Sequence, residues 1–204
     1  MQYLTMDVGG SGIKYALADE SYALSHKGVV PTSYDSHGDF IAAIGRIYEP
    51  FRGAVAGIAL SCCGELDPTS GYMFSGGALV FNAGTNLIES VEARCGVPVS
   101  LENDANCALL AEVHDGCLTD CRNAVALIIG TGVGGAILIN GQIYHGSHFH
   151  SGNASFTKVD LCDPASPPLA WLSGVGALLA DYALAAGVPA GSLDGRDFFD
   201  HLQR

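Results

Sequence analysis

The chain has 204 residues, 49% of them hydrophobic and 27 of them glycine, and it carries a formal net charge of −12. This is the composition of a folded α/β chain with many tight turns, not of a disordered one. So acidic a surface repels phosphodiester backbones, which argues against a nucleic-acid partner.

No apolar run is long enough to span a bilayer; the longest, 124–129, stops at a glycine loop. The opening MQYLTMD lacks the basic start and small-residue cleavage site of a secretory signal, so a cytoplasmic protein with no membrane partner is expected. The seven cysteines are odd in number and scattered, and they read as reduced thiols, mostly buried. Cys117 and Cys121 have the spacing of half a metal site, but no second Cys/His pair accompanies them.

In chain order, Tyr3, Leu4 and Met6 alternate into Asp7 and Val8, and a strand resumes over 13–18, so Gly9-Gly10-Ser11-Gly12 is a hairpin tip. A third strand is expected over 23–30. Apolar residues at helical spacing predict a helix over 40–51. A buried strand is expected over 54–60, then a glycine- and proline-rich excursion over 61–85, and a short helix over 86–95 stopped by Gly96-Val97-Pro98. A strand over 99–101 leads through Glu102-Asn103-Asp104 into a helix over 105–113. A second buried strand, 124–129, turns through 130–135 into its partner, 136–139, with Asn140-Gly141 as a tight turn. A polar loop over 145–155, one helix over 169–186 capped by Gly187, and a last helix over 195–204 complete the pattern. The best boundary between two domains lies at His114-Asp115-Gly116.

Three stretches carry chemistry. In DVGGSGIK, 7–14, Gly9, Gly10 and Gly12 let backbone N–H groups approach an anion, Ser11 adds a hydroxyl donor, and Lys14 adds a positive charge. Asp7, at the end of a strand, is a candidate holder of hydrated Mg²⁺. The plain alternative is an ordinary glycine-tipped hairpin. GTGVGG, 130–135, matches the dinucleotide fingerprint, but that fingerprint must open a helix, and here a strand follows. A hairpin tip cradling phosphate, with Thr131 as hydroxyl donor, fits that context, and a dehydrogenase does not. In LENDANCALLAE, 101–112, Asp104 stands where a strand gives way to a helix. It reads either as an N-cap or as the base that takes a proton from a hydroxyl attacking a γ-phosphoryl group. Asn103 beside it can hold a second hydroxyl as donor and acceptor.

In this order and at these spacings the stretches resemble the ROK family of sugar kinases and sugar-responsive repressors. DVGGSGIK resembles its first phosphate motif, SCCGELDPTSG (61–71) its glycine-then-acid segment, GVPVSLENDANCALLAE (96–112) its most recognisable run, and LIIGTGVGGAILINGQIYHG (127–146) its second phosphate motif. The resemblance covers nearly the whole chain. It implies an α/β, actin-like (ribonuclease-H-like) fold of mixed sheets with flanking helices, in two domains around a cleft. Residues 1–116 would hold the first phosphate loop and the catalytic aspartate, and 117–204 the second loop in an incomplete domain.

The activity implied is ATP-dependent phosphorylation of a hexose or hexose derivative: a glucose-like sugar, an N-acetyl-hexosamine or a β-glucoside. Asp104 would be the base. Asn103, Asp104 and Asn153 would hold the sugar, and Asp7 would serve Mg²⁺. Gly9, Gly10, Ser11 and Lys14, with Gly130, Thr131, Gly132 and Gly134, would hold the ATP phosphates. The expected partners are a small sugar and ATP; a homodimer is compatible with the family.

The chain departs from the family at 151–156. There SGNASF stands where A-G-E-x-G-H is usual, so Asn153 replaces a Glu and Phe156 a His. Of the family's cysteine-rich zinc motif only Cys162 is present, so no zinc is expected. His145, His148 and His150 read as loop residues outside the site. A catalytically impaired, sugar-binding remnant or sensor is the alternative function.

Overall fold

The computed structural model describes residues 1–31, 34–189 and 191–202. It divides into two compact units, Met1–Leu110 and Ala111–Arg204.

The first unit is built on a five-stranded sheet. β1 (Gln2–Val8) and β2 (Gly12–Asp19) form the expected hairpin, and β3 (Leu24–Pro31) continues it antiparallel. On its other side β1 runs parallel to β4 (Ile58–Cys62). The alternation in β1 sends Leu4, Met6 and Val8 into the core and leaves Thr5 and Asp7 on the opposite face.

The core face is covered by α1 (His37–Tyr48), which contributes Phe40, Ile44 and Tyr48. Ser36 caps α1: its Oγ accepts the Asp39 N–H at 3.1 Å and donates to the Asp39 carboxylate at 2.7 Å. The helix expected over 40–51 therefore starts three residues earlier and ends in a 3₁₀ turn, Glu49–Phe51, with Pro50 at its start. The strand expected over 54–60 is confined to Ile58–Cys62. Residues 52–57 form turns instead, closed by the Ala54 N–H on Phe51 O and the Ala56 N–H on Gln2 O.

The excursion after β4 is more ordered than its composition suggested. It contains the small hairpin β5 (Glu65–Leu66) and β6 (Met73–Ser75) and a 3₁₀ turn, Val80–Asn82. Then α2 (Leu87–Cys95) packs Leu87 and Val91 into the same core. Asn86 caps its start, and Gly96, at φ +75, its end. His37 joins three elements. Its Nδ1 lies 2.8 Å from Asn82 Oδ1, in the 3₁₀ turn, and its Nε2 lies 3.0 Å from Ser90 Oγ on α2. β7 (Val99–Asn103) adds to the sheet parallel to β4, giving the order β3-β2-β1-β4-β7. α3 (Asp104–Asp115) follows without an intervening loop, and the division between the units falls within it.

In the second unit β8 (Ala124–Ile129), β9 (Val133–Ile139) and β10 (Gln142–Ile143) form a three-stranded antiparallel sheet. Asn140 and Gly141 both take positive φ, 55° and 82°, as a tight two-residue hairpin needs. β8 is not the buried strand expected. Val125, Leu127 and Ile129 are 68%, 65% and 54% exposed, while the alternate residues are half-buried. A continuous apolar run predicts burial on both faces, and among the described residues only one face is covered.

The helix expected over 169–186 is two helices, α4 (Leu169–Ser173) and α5 (Val175–Ala186), broken at Gly174. Gly174 is extended (φ −66°, ψ 157°), and a Cβ there would run into the carbonyl oxygens of Thr131 and Ala170. Gly187 ends α5 in the left-handed conformation, as expected. α6 spans Gly195–Leu202; the last two residues of the helix expected over 195–204 lie outside the described residues.

Candidate active site

The parallel register of β1, β4 and β7 decides what meets what. Val8 pairs with Cys62, and Cys62 with Asn103; one step earlier Asp7 pairs with Ser61, and Ser61 with Glu102. The carboxyl ends of three neighbouring strands therefore lie side by side. This is where open α/β sheets bind ligands, because the strands stop there and the loops diverge. The first glycine loop, the turn after β4 and the Asn103-Asp104 pair all leave the sheet at that edge.

The first loop, 9–12, is closed by the Gly9 N–H on Gly12 O at 3.0 Å. Among the described residues the N–H groups of Gly10 and Ser11 meet no protein acceptor, and both residues are exposed. A Cβ on Gly10 would sit 3.0 Å from Ala78 Cβ, so the loop is packed against the turn after β6. Asp7 projects beside it, half exposed. Its Oδ1 accepts from Ser61 Oγ at 2.9 Å, and its Oδ2 lies 3.5 Å from Lys14 Nζ.

Asn103 caps α3. Its Oδ1 accepts the N–H groups of Ala105 and Asn106 at 2.9 and 3.2 Å, while its Nδ2 donates to Gly64 O at 3.0 Å. Of the two readings of Asp104, the cap therefore falls to its neighbour. Glu102 supports the pair: its Oε1 accepts from the Asn103 N–H at 2.8 Å and from Asn106 Nδ2 at 2.9 Å.

Asp104 opens the helix with one carboxylate oxygen on the Ala105 N–H, 2.9 Å away. Desolvation raises its carboxyl from the ordinary value. The Ala105 N–H and the Asn103 side chain oppose that rise, and the negative charge of Asp7 adds to it. A carboxylate made more basic by its surroundings suits proton abstraction.

Several neighbours of this edge were given no individual role by the sequence. Gly64 takes φ +109, and a Cβ on it would strike the carbonyl of Ser75. Ser61 holds Asp7, and it also hydrogen-bonds the Cys107 thiol one turn along α3 from Asp104. The return of residues 75–79 to meet this turn depends on the β5–β6 pairing, which is too short to show a period.

In the second unit the tip is 130–132, with the Gly130 N–H on Gly132 O at 2.9 Å. Gly134 is not at the tip but in β9, opposite Ile128. Among the described residues the N–H groups of Thr131 and Gly132 meet no protein acceptor. The helical segment supports this loop directly, because the Val175 N–H at the start of α5 donates to Gly130 O at 2.8 Å.

Asn153 lies in a loop pressed onto β9. Gly152, at φ +79, fits against Gly135, and neither tolerates a Cβ. The Asn153 Oδ1 accepts the Ser155 N–H at 2.9 Å, and Ser155 Oγ donates to Val133 O at 2.8 Å. Phe156 is 69% exposed and stacks on His150, with ring centroids 6.4 Å apart.

Among the described residues no group of three His, Cys, Asp or Glu side chains converges as a metal cage. A divalent ion near Asp7 would be held mainly by water and phosphate oxygens. That suits Mg²⁺, which keeps most of its waters. The N–H groups of the two glycine loops that meet no acceptor among the described residues likewise suit phosphate oxygens.

The ROK family model matches residues 3–165. A β-glucoside kinase of Listeria monocytogenes is 32% identical over 206 residues, covering 98% of this chain and 68% of the relative. An N-acetylmannosamine kinase of Salmonella typhimurium is 29% identical over 194 residues, 92% of this chain and 62% of the relative. The solved structure of the Lmo2764 protein of Listeria monocytogenes superposes with a TM-score of 0.83 at 31% identity, over all of this chain and 70% of that one. Match, identity and superposition agree with the motifs: the chain belongs to the ROK family and has its actin-like α/β fold.

Proposed function

We propose that the protein transfers the γ-phosphoryl group of ATP to a hydroxyl of a hexose or hexose derivative. The observation that carries this reading is the meeting, at one sheet edge, of an Asp104 carboxylate with raised basicity, the Asn103 amide and the first glycine loop. The names of the relatives, a β-glucoside kinase and an N-acetylmannosamine kinase, support a sugar as acceptor.

In this reading the hydroxyl oxygen forms a bond to the γ-phosphorus as the bridging P–O bond to ADP breaks, and the hydroxyl proton passes to the Asp104 carboxylate. The Asn103 side chain, beside Asp104, holds a neighbouring hydroxyl. The N–H groups of Gly10 and Ser11, with Lys14, receive phosphate oxygens, and Thr131 and Gly132 do the same from the second loop. Asp7 would hold Mg²⁺ through its waters, and the ion would supply neutralisation of phosphate charge. Gly134 supports the second loop from within β9.

The test is sugar-dependent ADP release from ATP across glucose, N-acetylmannosamine, N-acetylglucosamine and aryl or disaccharide β-glucosides. Release with at least one of them supports the assignment. ATP turnover that ignores every sugar counts against it.

A further inference from the structure

One row of side chains crosses four strands on the sheet face opposite the core. Lys14 of β2 pairs with Asp7 of β1, Asp7 with Ser61 of β4, and Ser61 with Glu102 of β7. Their chain neighbours Ile13, Met6, Leu60 and Leu101 all point into the core, so the row itself faces the other way. A hydroxyl therefore stands between two carboxylates, and it has one hydrogen to give. Ser61 Oγ gives it to Asp7 Oδ1 at 2.9 Å. Glu102 draws on other donors, the Asn103 N–H at 2.8 Å and Asn106 Nδ2 at 2.9 Å.

Asp7 is thus held from both sides, and the two contacts are unequal. Lys14 Nζ lies 3.5 Å from Oδ2, and the two side chains are 72% and 50% exposed. Water screens such a pair, and the long lysine side chain loses freedom in keeping it. The bond from Ser61 is short and charge-assisted, and it comes from a short side chain. Its backbone is fixed as well. In the order β3-β2-β1-β4-β7, both β1 and β4 are interior strands, so neither shifts without breaking a ladder on each side. Ser61, rather than Lys14, fixes the direction of the carboxylate. Lys14 can then swing toward a phosphate oxygen while Asp7 stays in place.

We propose that Ser61 is a positioning residue for the divalent cation, holding the Asp7 carboxylate in place when Lys14 turns to the nucleotide. The inference rests on the metal role given to Asp7 above. Mg²⁺ imposes near-octahedral directions on its waters, so a carboxylate that holds it through them gains from being aimed in advance. Alanine at 61 leaves Asp7 Oδ1 to solvent and lets the carboxylate turn toward Lys14. Ser61→Ala should therefore weaken the hold on the ion without abolishing it. Threonine keeps the hydroxyl, and its branched side chain suits a strand.

The experiment titrates the full chain with Mn²⁺, a paramagnetic substitute for Mg²⁺, in the presence of ADP, and measures the protein-bound ion by EPR. No sugar is present and nothing turns over, so the outcome stands apart from that of the kinase assay. Ser61→Ala should raise the apparent Mn²⁺ dissociation constant about tenfold, the lower end of the usual cost of removing the partner of a metal-holding group. Ser61→Thr should stay close to wild type, and Asp7→Asn should weaken the ion at least as much as Ser61→Ala. Wild-type affinity in Ser61→Ala beside weak binding in Asp7→Asn would overturn the proposal alone. A threonine variant as weak as the alanine one would also overturn it, because the loss would then lie in packing and not in the hydroxyl. Wild-type affinity in Asp7→Asn, or no bound ion in the wild type, would overturn it together with the metal role of Asp7.

Discussion

The Asn103 amide donates to the carbonyl of Gly64 across 3.0 Å, tying the end of β7 to the turn after β4. The same side chain caps α3 through two backbone N–H groups, so a single residue fixes both the turn and the start of the helix that carries Asp104. Asn103→Ala should therefore lower stability by about 0.5–2 kcal/mol, the ordinary cost of a lost cap. Asn103→Asp keeps the cap acceptor but loses the bond to Gly64, and it should retain more stability than the alanine variant. Urea unfolding of the three proteins checks the order.

Asp104 links stability to pH in a direction that can be worked out. Its folded carboxyl titrates above its unfolded value, so the folded state holds the proton more tightly. Stability is then lost as pH rises from the ordinary carboxylate value, about 3.9, through the raised one, and the cost persists at neutrality. Asp104→Asn removes that cost and keeps an acceptor for the Ala105 N–H. The variant should be more stable than wild type at pH 7, with the gap closing below about pH 3.9. Thermal melts at both pH values are the measurement, and a variant less stable at pH 7 would contradict the raised Asp104 carboxyl.

Gly174 separates α4 from α5 and lies against Thr131 O, so the second glycine loop rests on the break between those helices. Gly174→Ala should displace the loop. The expected effects are a loss of about 1–3 kcal/mol from overpacking and a rise of roughly tenfold or more in the KM for ATP. An unchanged KM would show that the loop does not hold the nucleotide.

Substrate choice is predicted from Asn153 and Phe156. Asn153 already gives its carbonyl oxygen to the Ser155 N–H, and the exposed Phe156 ring offers no hydrogen bond. A site without a charged acceptor rejects the loss of a hydroxyl only weakly. Glucose and 2-deoxyglucose should therefore differ little in kcat/KM, and a β-linked substituent should be tolerated. Asn153→Glu should sharpen the preference for the free 2-hydroxyl. A strong wild-type preference for glucose over 2-deoxyglucose would contradict this.

Much of the site was legible because its parts are local. Gly9-Gly10-Ser11-Gly12 between alternating strands can only be a hairpin tip, and Asn140-Gly141 has the dihedrals its residue types favour. The approach of β1, β4 and β7 was not written in any one segment. It came through the resemblance, because parallel pairing joins residues as far apart as Asp7 and Ser61. What could not be read was set by contacts between distant backbones. Nothing within 169–186 marks Gly174 as a break; the carbonyl of Thr131 does. Equally, the apolar run of β8 shows what the strand can bury, not which of its faces is covered. The sequence offered Asp104 as the cap of α3 or as a base, and only the geometry showed that Asn103 does the capping.

The central claim is that Asp104 takes the proton of a sugar hydroxyl during phosphoryl transfer, and ³¹P NMR of the reaction tests it most directly. Wild-type protein with ATP, Mg²⁺ and a β-glucoside or hexose should deplete the γ-phosphate signal and build a sugar phosphomonoester signal. With Asp104→Asn that signal should grow roughly 10²–10⁴-fold more slowly, the usual contribution of a general base, while sugar binding measured by calorimetry is largely kept. Equal rates in the two proteins, or no phosphomonoester from the wild type with any sugar, would contradict it.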